Sequence, residues 1–247
     1  MKTQDKKAEA IFFDKFDKVG GYDFFDDNGY YKIVSILKER LKGSQVKKVI
    51  DMGCGSGAFT SRLFSVLNKS GVIGFDISAG CIKRARKDYP QIKFEVGDVE
   101  KTRFKSSSVD LICYSGILHH FPDFSKVAKE AARILRPGGY FFSYDPNLYN
   151  PAFWLYRSPK SPFSTRVGVT DNERLLKPGE IASVFERYGF TVNMSAISGI
   201  KVKYIEGQKK SLVSVYNFLD HILAVTPFAR VIGAWTIGFG TKRPKKR

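Results

Sequence analysis

From Val46 onward, short apolar runs alternate with amphipathic stretches, a pattern that restricts the chain to strands and helices built around a parallel sheet. VKKVID reads as the first strand, VIGFD as the second, IKFEV as the third, VDLICY as the fourth and YFFSYD as the fifth. Between them, Phe59, Leu63, Val66 and Leu67 form one buried helical stripe. Ile82, Ala85 and Tyr89 form a second, and Val127, Ala128, Ala131, Ile134 and Leu135 a third. RPGG, Arg136 to Gly139, stops that last helix, because proline cannot continue it and glycine reaches the left-handed turn conformation cheaply. A later helix, with Ile181, Val184, Phe185 and Tyr188 on one face, ends at Gly189 and leads into FTVNMSAIS. The 247 residues, 43% of them apolar, suffice for one sizeable α/β core.

Upstream, Phe12, Phe16 and Val19 fall at helical spacing, as do Tyr30, Ile33, Val34, Leu37 and Leu41. Two helices joined by GGYDFFDDNG would make an N-terminal helical cap over residues 1–45, ahead of a main domain at 46–247. Residues 146–177 hold four prolines and little periodicity, so a long loop over one end of the sheet is expected. LVSVYNFLDHILAVTPFARVIGAWTIGFG is apolar, but Asp220, His221, Pro227 and Arg230 interrupt it and argue against a membrane span. It divides into a helix over 211–224 and a terminal strand over 231–240. The opening MKTQDKKAEA has no apolar stretch of a secretory signal, so a soluble, cytoplasmic protein is expected. Cys54, Cys81 and Cys113 are widely spaced and odd in number, which indicates buried thiols and neither a disulfide framework nor a metal site.

Charge is unevenly placed. The formal balance is +17, yet residues 1–45 carry nine basic and eight acidic side chains, while from Lys201 onward there are ten basic and two acidic. Such a field draws phosphate-bearing partners: nucleic acid, an anionic membrane or a phosphorylated substrate.

The chemistry is concentrated at VIDMGCGSGAFT. A strand ending in Asp51, then Gly53, Gly55 and Gly57, then a helix, brings bare backbone to a ligand at a positive helix end. Asp76 ends the second strand 21 residues beyond Gly55, where a carboxylate can accept from ribose hydroxyls. A dinucleotide would satisfy these features through Gly53, Gly55 and Ala58. Three others favour a cationic adenosyl ligand. Asp51 stands before the glycines, where it would repel a pyrophosphate but suit an ammonium or ordered water. Asp98 ends the third strand within reach of an adenine amine, and the sheet finishes in a helix and hairpin instead of a second nucleotide-binding half.

DMGCGSG, the acid in GFDIS, GDVE, VDLICYSGILHHFPD and ARILRPGG, in that order, resemble the motif series of the class I S-adenosylmethionine-dependent methyltransferases, in the small-molecule, methyltransferase type 11 or quinone-biosynthesis-like branch. The resemblance covers residues 46–145. It implies a Rossmann-like, seven-stranded, mostly parallel sheet with an antiparallel last strand and helices on both faces. It also implies S-adenosyl-L-methionine as cofactor. Asp51, Gly53, Gly55 and Gly57 would surround its methionine part and ribose edge, Asp76 would hold the ribose hydroxyls, and Ile77 would lie against the adenine. Asp98 and Val99 would meet the base, with Ser115 and Gly116 beside the sulfonium.

Methyl transfer is an in-line displacement at an activated carbon, so positioning and desolvation supply much of the rate. If the acceptor must lose a proton, the candidate bases are His119 and His120 after the fourth strand, with at most one facing the pocket, and then Tyr144 and Asp145. His221 reads as structural. Phe153, Trp154, Tyr156 and Phe163 in the 146–177 loop, and Tyr204, Tyr216 and Phe218 in an insertion at 200–228, suggest a cover for an apolar or ring-bearing acceptor. Arg157, Lys160 and Arg166 could take a phosphate or carboxylate. Transfer to a small molecule, lipid-linked or anionic, is the leading expectation. A tRNA-modifying methyltransferase, a non-catalytic scaffold of the same fold and a nicotinamide oxidoreductase remain as alternatives.

Overall fold

The computed structural model describes residues 4–18, 23–67, 71–164, 167, 169–205 and 209–244. Val19, Arg166 and the last three residues of the basic tail therefore lie outside the described residues, as does the side chain of Phe16. Two helices come first, α1 (Lys6–Lys18) and α2 (Asp27–Arg40). There follow β1 (Val49–Met52), α3 (Ala58–Val66), β2 (Val72–Asp76), α4 (Ala79–Asp88), β3 (Lys93–Val96) and β4 (Val109–Ser115). A 3-10 turn over Leu118–His120 leads to α5 (Ser125–Ile134), β5 (Leu135–Pro146) and α6 (Pro151–Arg157). The chain ends with α7 (Pro178–Arg187), β6 (Phe190–Ile197), α8 (Lys210–Ala224), α9 (Ala229–Ile232) and β7 (Trp235–Lys242).

The seven strands form one sheet in the order β3-β2-β1-β4-β5-β7-β6. β7 runs antiparallel to both neighbours, while the β1 to β5 pairings are all parallel. Because helices cover both faces, the central strands are apolar at nearly every position. Leu111, Cys113 and Phe142 face α2 and α3, with Ile33, Leu37 and Leu63 packed against them. Ile112, Tyr114 and Phe141 face α5 and α7, among Val127, Ile134, Ile181 and Phe185. Burying each such side chain contributes about 1.5–3 kcal/mol.

Local chemistry sets the helix starts. The side chains of Asp26, Ser78 and Asn150 accept from Gly29, Cys81 and Phe153 amides at the N-termini of α2, α4 and α6. Pro151 and Pro178 occupy first-turn positions, where the missing N–H costs nothing.

Several expected boundaries shift. β1 begins at Val49, since the Lys47 and Lys48 amides are taken by the Asp110 carboxylate. α5 stops at Ile134, and Leu135 is already paired with Val109, so RPGG is a bulge inside β5 before pairing resumes at Leu111 and Tyr140. The 146–177 stretch contains α6, whose apolar residues are consecutive and so leave no helical period to read. β7 starts at Trp235, four residues later than expected, because α9 occupies 229–232. Gly233 then makes the turn, where an added Cβ would sit 2.4 Å from Ala229 O.

Candidate active site

A cavity runs across the C-terminal ends of the parallel strands, from β3 to β5 and the adjoining start of β7. Over β1 and β2 its floor is the glycine turn. Gly53 and Gly55 take φ of 75° and 50°, and both line the cavity. An added Cβ at Gly53 would come within 2.7 Å of the Ile117 side chain, whereas at Gly55 it would enter open space. Asp76, at the end of β2, accepts from the Gly55 amide at 2.9 Å and the Ser78 amide at 2.8 Å. Burial raises its proton affinity against the pull of those amides. Ile77, Asp98, Val99, Ser115 and Gly116 complete this part of the lining. Asp98 lies two residues past β3, separated from it by Gly97, where a Cβ would run 2.2 Å from the Phe75 ring.

Two of the sequence-predicted cofactor residues sit one layer deeper. Asp51 is fully buried beneath the cavity, accepting from Thr60 Oγ1 at 2.6 Å and from Ser115 Oγ. Burial pushes its carboxyl up to about 7, although both hydroxyls pull the other way. It reaches the cavity through Ser115. Gly57, φ 87°, opens α3 and faces the rings of Phe94 and Tyr89.

The candidate bases converge over β4 and β5. His119 and His120 both line the cavity, contrary to the expectation that only one would, because a 3-10 turn lets consecutive imidazoles overlap with centroids 4.1 Å apart. His119 Nδ1 lies 2.9 Å from Asp145 Oδ1, and the His119 amide donates to the same oxygen. Burial drives both groups neutral: Asp145 rises to about 8, and His119 falls well below its ordinary value, helped by the charges of His120, Arg157 and Arg174. Burial also opposes a charge on His120, but Glu9 and Glu173 outweigh it and raise its proton affinity. His119, His120 and Glu173 could each offer a ligand atom within 4.8 Å of the others. The nearby guanidinium charges of Arg157 and Arg174 and the proton favoured on His120 work against a cation there. Tyr144 also lines the cavity, and its buried hydroxyl is held neutral by burial first and then by Tyr30 and Asp51. His221 is exposed on α8, away from the cavity.

α1 roofs the cavity. Lys6 Nζ pairs with Asp98 at 2.6 Å and Glu100 at 2.5 Å, and Asp14 accepts from Ser78 Oγ at 2.6 Å and the Gly80 amide at 2.8 Å. Glu9, buried, accepts from Thr170 Oγ1 at 2.5 Å and Asn172 Nδ2 at 2.8 Å, and stands 3.5 Å from His120 Nδ1. Gln4, Glu9, Phe13, Glu173 and Arg174 are cavity residues that the sequence reading missed, because they lie outside every motif and meet only through the fold.

The half of the cavity over β5 and β7 is aromatic. Phe25 packs edge-on against Trp235 at 4.7 Å and Tyr30 at 5.2 Å, Phe59 against Tyr144 at 5.1 Å, and Phe153 against Trp235 at 5.4 Å. Of the seven aromatics expected to cover an acceptor, only Phe153 lines the cavity. Phe163 and Phe218 are 71% and 65% exposed. Arg157 reaches the cavity, whereas Lys160 is exposed outside it.

The family model described as "Methyltransferase domain" matches residues 50–143, the span that carries the first strand, the glycine turn and the acid-terminated second strand beneath the cavity. Residues 50–143 are a methyltransferase domain, similar to those of S-adenosylmethionine-dependent methyltransferases. Demethylmenaquinone methyltransferase of Chlorobaculum parvum is 28% identical over 151 residues, covering 58% of this chain and 62% of that protein. Trans-aconitate 2-methyltransferase of Azoarcus is 29% identical over 151 residues, covering 58% and 59%. The chain thus spans about three-fifths of the length of the curated relatives it matches. A S-adenosylmethionine-dependent methyltransferase from Thermotoga maritima shares its fold, with a TM-score of 0.60 at 18% identity over 96% of this chain and 95% of that one. The cofactor of the class is S-adenosylmethionine, and the cavity fits it: a buried carboxylate at Asp76, bare backbone at Gly55, and apolar walls at Ile77 and Val99.

Proposed function

We propose that this methyltransferase moves a methyl group from S-adenosylmethionine to a small, apolar, ring-bearing acceptor seated in the aromatic half of the cavity. The observation that carries the reading is the wall of Phe25, Tyr144, Phe153 and Trp235 facing the polar half over β2 and β3. Edge-on and tilted rings favour another ring over a dicarboxylate or a nucleic-acid backbone. The relative from Chlorobaculum, by its name, acts on a quinone of that kind.

When bound, the cofactor supplies a methyl carbon already activated on a sulfonium. Asp76 holds the ribose hydroxyls, Ile77 and Val99 flank the base, and Asp98, tethered by Lys6, meets the base edge. Gly53, Gly55, Ser115 and Gly116 let the amino-acid part lie close to backbone, while Asp51 fixes Ser115 and Gly57 admits the tight start of α3. His119 is the base for acceptors that must lose a proton: a neutral imidazole can take one, and with Nδ1 held by Asp145, Nε2 is left for the acceptor. His120, braced by Glu9, positions it. α1, Phe24 and Phe25, and α6 act as the cover that excludes water.

Transfer from S-adenosylmethionine carrying a tritiated methyl group, tested against hydroquinones and phenols, aliphatic dicarboxylates and bulk tRNA, decides the acceptor class. Label in the ring-bearing acceptors is expected. Label confined to dicarboxylate or tRNA overturns the reading.

A further inference from the structure

α8 buries polar side chains beside Val213 and Tyr216 and leaves a run of large apolar ones exposed. Its polar residues Asn217 and Asp220 face the protein, where Asn217 exchanges hydrogen bonds with Val202 N and O, both at 3.0 Å, and Asp220 accepts from the Gly199 and Ile200 amides. Its apolar residues Leu212, Val215, Leu219 and Ile222 recur at helical spacing on the opposite, exposed face, with Phe218 beside them. Val225, 81% exposed, Phe228 and Val231 continue the patch onto α9. A helix on a water-facing surface has the reverse arrangement, and so large a contiguous apolar patch marks a site of contact.

We propose that this face of α8 and α9 docks on an anionic lipid surface, lying in the interface with the apolar stripe among the acyl chains. Charge selects the occupant. Between Lys209 and Val231 the only acidic residue is Asp220, which is turned inward, whereas Lys209, Lys210 and Arg230 are exposed beside the stripe. Lys201, also exposed, lies on the strip of chain that α8 packs against, where Lys203 is paired with Asp23 at 2.5 Å. A rim of cations around an apolar face is what an interfacial helix presents to negatively charged headgroups. No helix among the described residues is long and apolar enough to cross a membrane, so the contact lies in the surface plane. The patch also adjoins the aromatic half of the cavity. Phe153, which lines it, packs 6.0 Å from Tyr216 of α8, and its neighbours Trp154 and Leu155 are exposed. Docking there would bring the acceptor end of the cavity to the lipid. The docking itself does not depend on the identity of the acceptor.

Flotation of the full chain with phosphatidylglycerol–phosphatidylcholine vesicles and with pure phosphatidylcholine vesicles tests it. Strong binding to the first is expected, at least tenfold weaker binding to the second, and loss of the first at high salt. The double variant Phe218→Ser, Leu219→Ser should bind anionic vesicles at least tenfold more weakly while its circular dichroism and cofactor affinity match the parent. The milder Val225→Ser variant, at the most exposed position, should fall between them. Equal flotation of parent and variants overturns the proposal, as does equal flotation on neutral and anionic vesicles. A parent that fails to float but sedimentates as a dimer, and becomes monomeric in the double variant, shows that a second copy covers the face and likewise overturns it.

Discussion

His119 and Asp145 meet through a single carboxylate oxygen: Oδ1 receives the His119 amide and lies 2.9 Å from its Nδ1, while Oδ2 is buried without a partner among the described residues. The pair is therefore held close to neutrality, with Asp145 up to about 8 and His119 well below its ordinary value. Folded Asp145 and Asp51 keep protons that the unfolded chain has already released, so each contributes stability that is lost as pH rises through the folded values of about 8 and about 7. His120, also raised, acts in the same sense. Below pH ~6.5 His119 opposes them, because there only the unfolded imidazole is protonated. Stability, and with it the melting temperature, should thus fall between pH ~6.5 and ~8, the free energy of unfolding dropping by about 1.4 kcal/mol per pH unit for each proton. Asp145→Asn should flatten it in thermal scans, and an unchanged slope in that variant would remove Asp145 as its source.

Asp76→Ala should weaken S-adenosylmethionine binding by roughly 10–100-fold, the worth of charge-assisted hydrogen bonds lost at about 1.5–3 kcal/mol. Calorimetry with S-adenosylmethionine, its demethylated product and NAD measures this. Unchanged affinity would take away the ribose role, and tight NAD binding would sink the cofactor assignment altogether.

Glu9→Gln should lower the proton affinity of His120, since the variant replaces an anionic partner with a neutral amide while leaving the bonds from Thr170 and Asn172 an oxygen to reach. Titration of the His120 ring resonances by NMR reads the shift directly. A resonance that titrates as in the parent would show that Glu9 does not govern it.

Gly53→Ala should destabilise the fold by about 2 kcal/mol, because a Cβ is strained in the left-handed region and would meet Ile117. The melting temperature of the cofactor-free protein should drop by roughly 4–8 °C. Gly55→Ala, also at positive φ but facing open space, should cost less in the absence of cofactor.

The sheet was legible because its strands are buried on both faces and so stand out as apolar runs; β2 falls on VIGFD residue for residue. The glycine turn and the placing of Asp76 and Asp98 on the cavity were legible for a related reason, since a tight strand-to-helix turn and a charged strand end can be met by few residue types. Trp235 and Phe25 were not. Each reads as ordinary core in its own segment, and only the pairing of Pro146 with Trp235 brings β7 to the cavity edge. Phe163 and Phe218 misled for the converse reason: an aromatic in a covering segment carries no mark of which way it points. The inverted polarity of α8 was hidden too, because its period is that of any amphipathic helix and only the contacts of Asn217 and Asp220 reveal which side is inward.

The roof has a consequence for the order of assembly. Lys6 meets partners 92 and 94 residues away, Glu9 meets partners 161 and 163 away, and Gln4 bonds to a carbonyl 116 away. Contacts so remote in sequence carry a large loop-closure cost, while the sheet and its packing helices need none of them. α1 is therefore expected to join last during folding and to open first in the native state, making it the low-stability unit whose amides exchange with solvent ahead of the sheet and slow when the cleft beneath is filled.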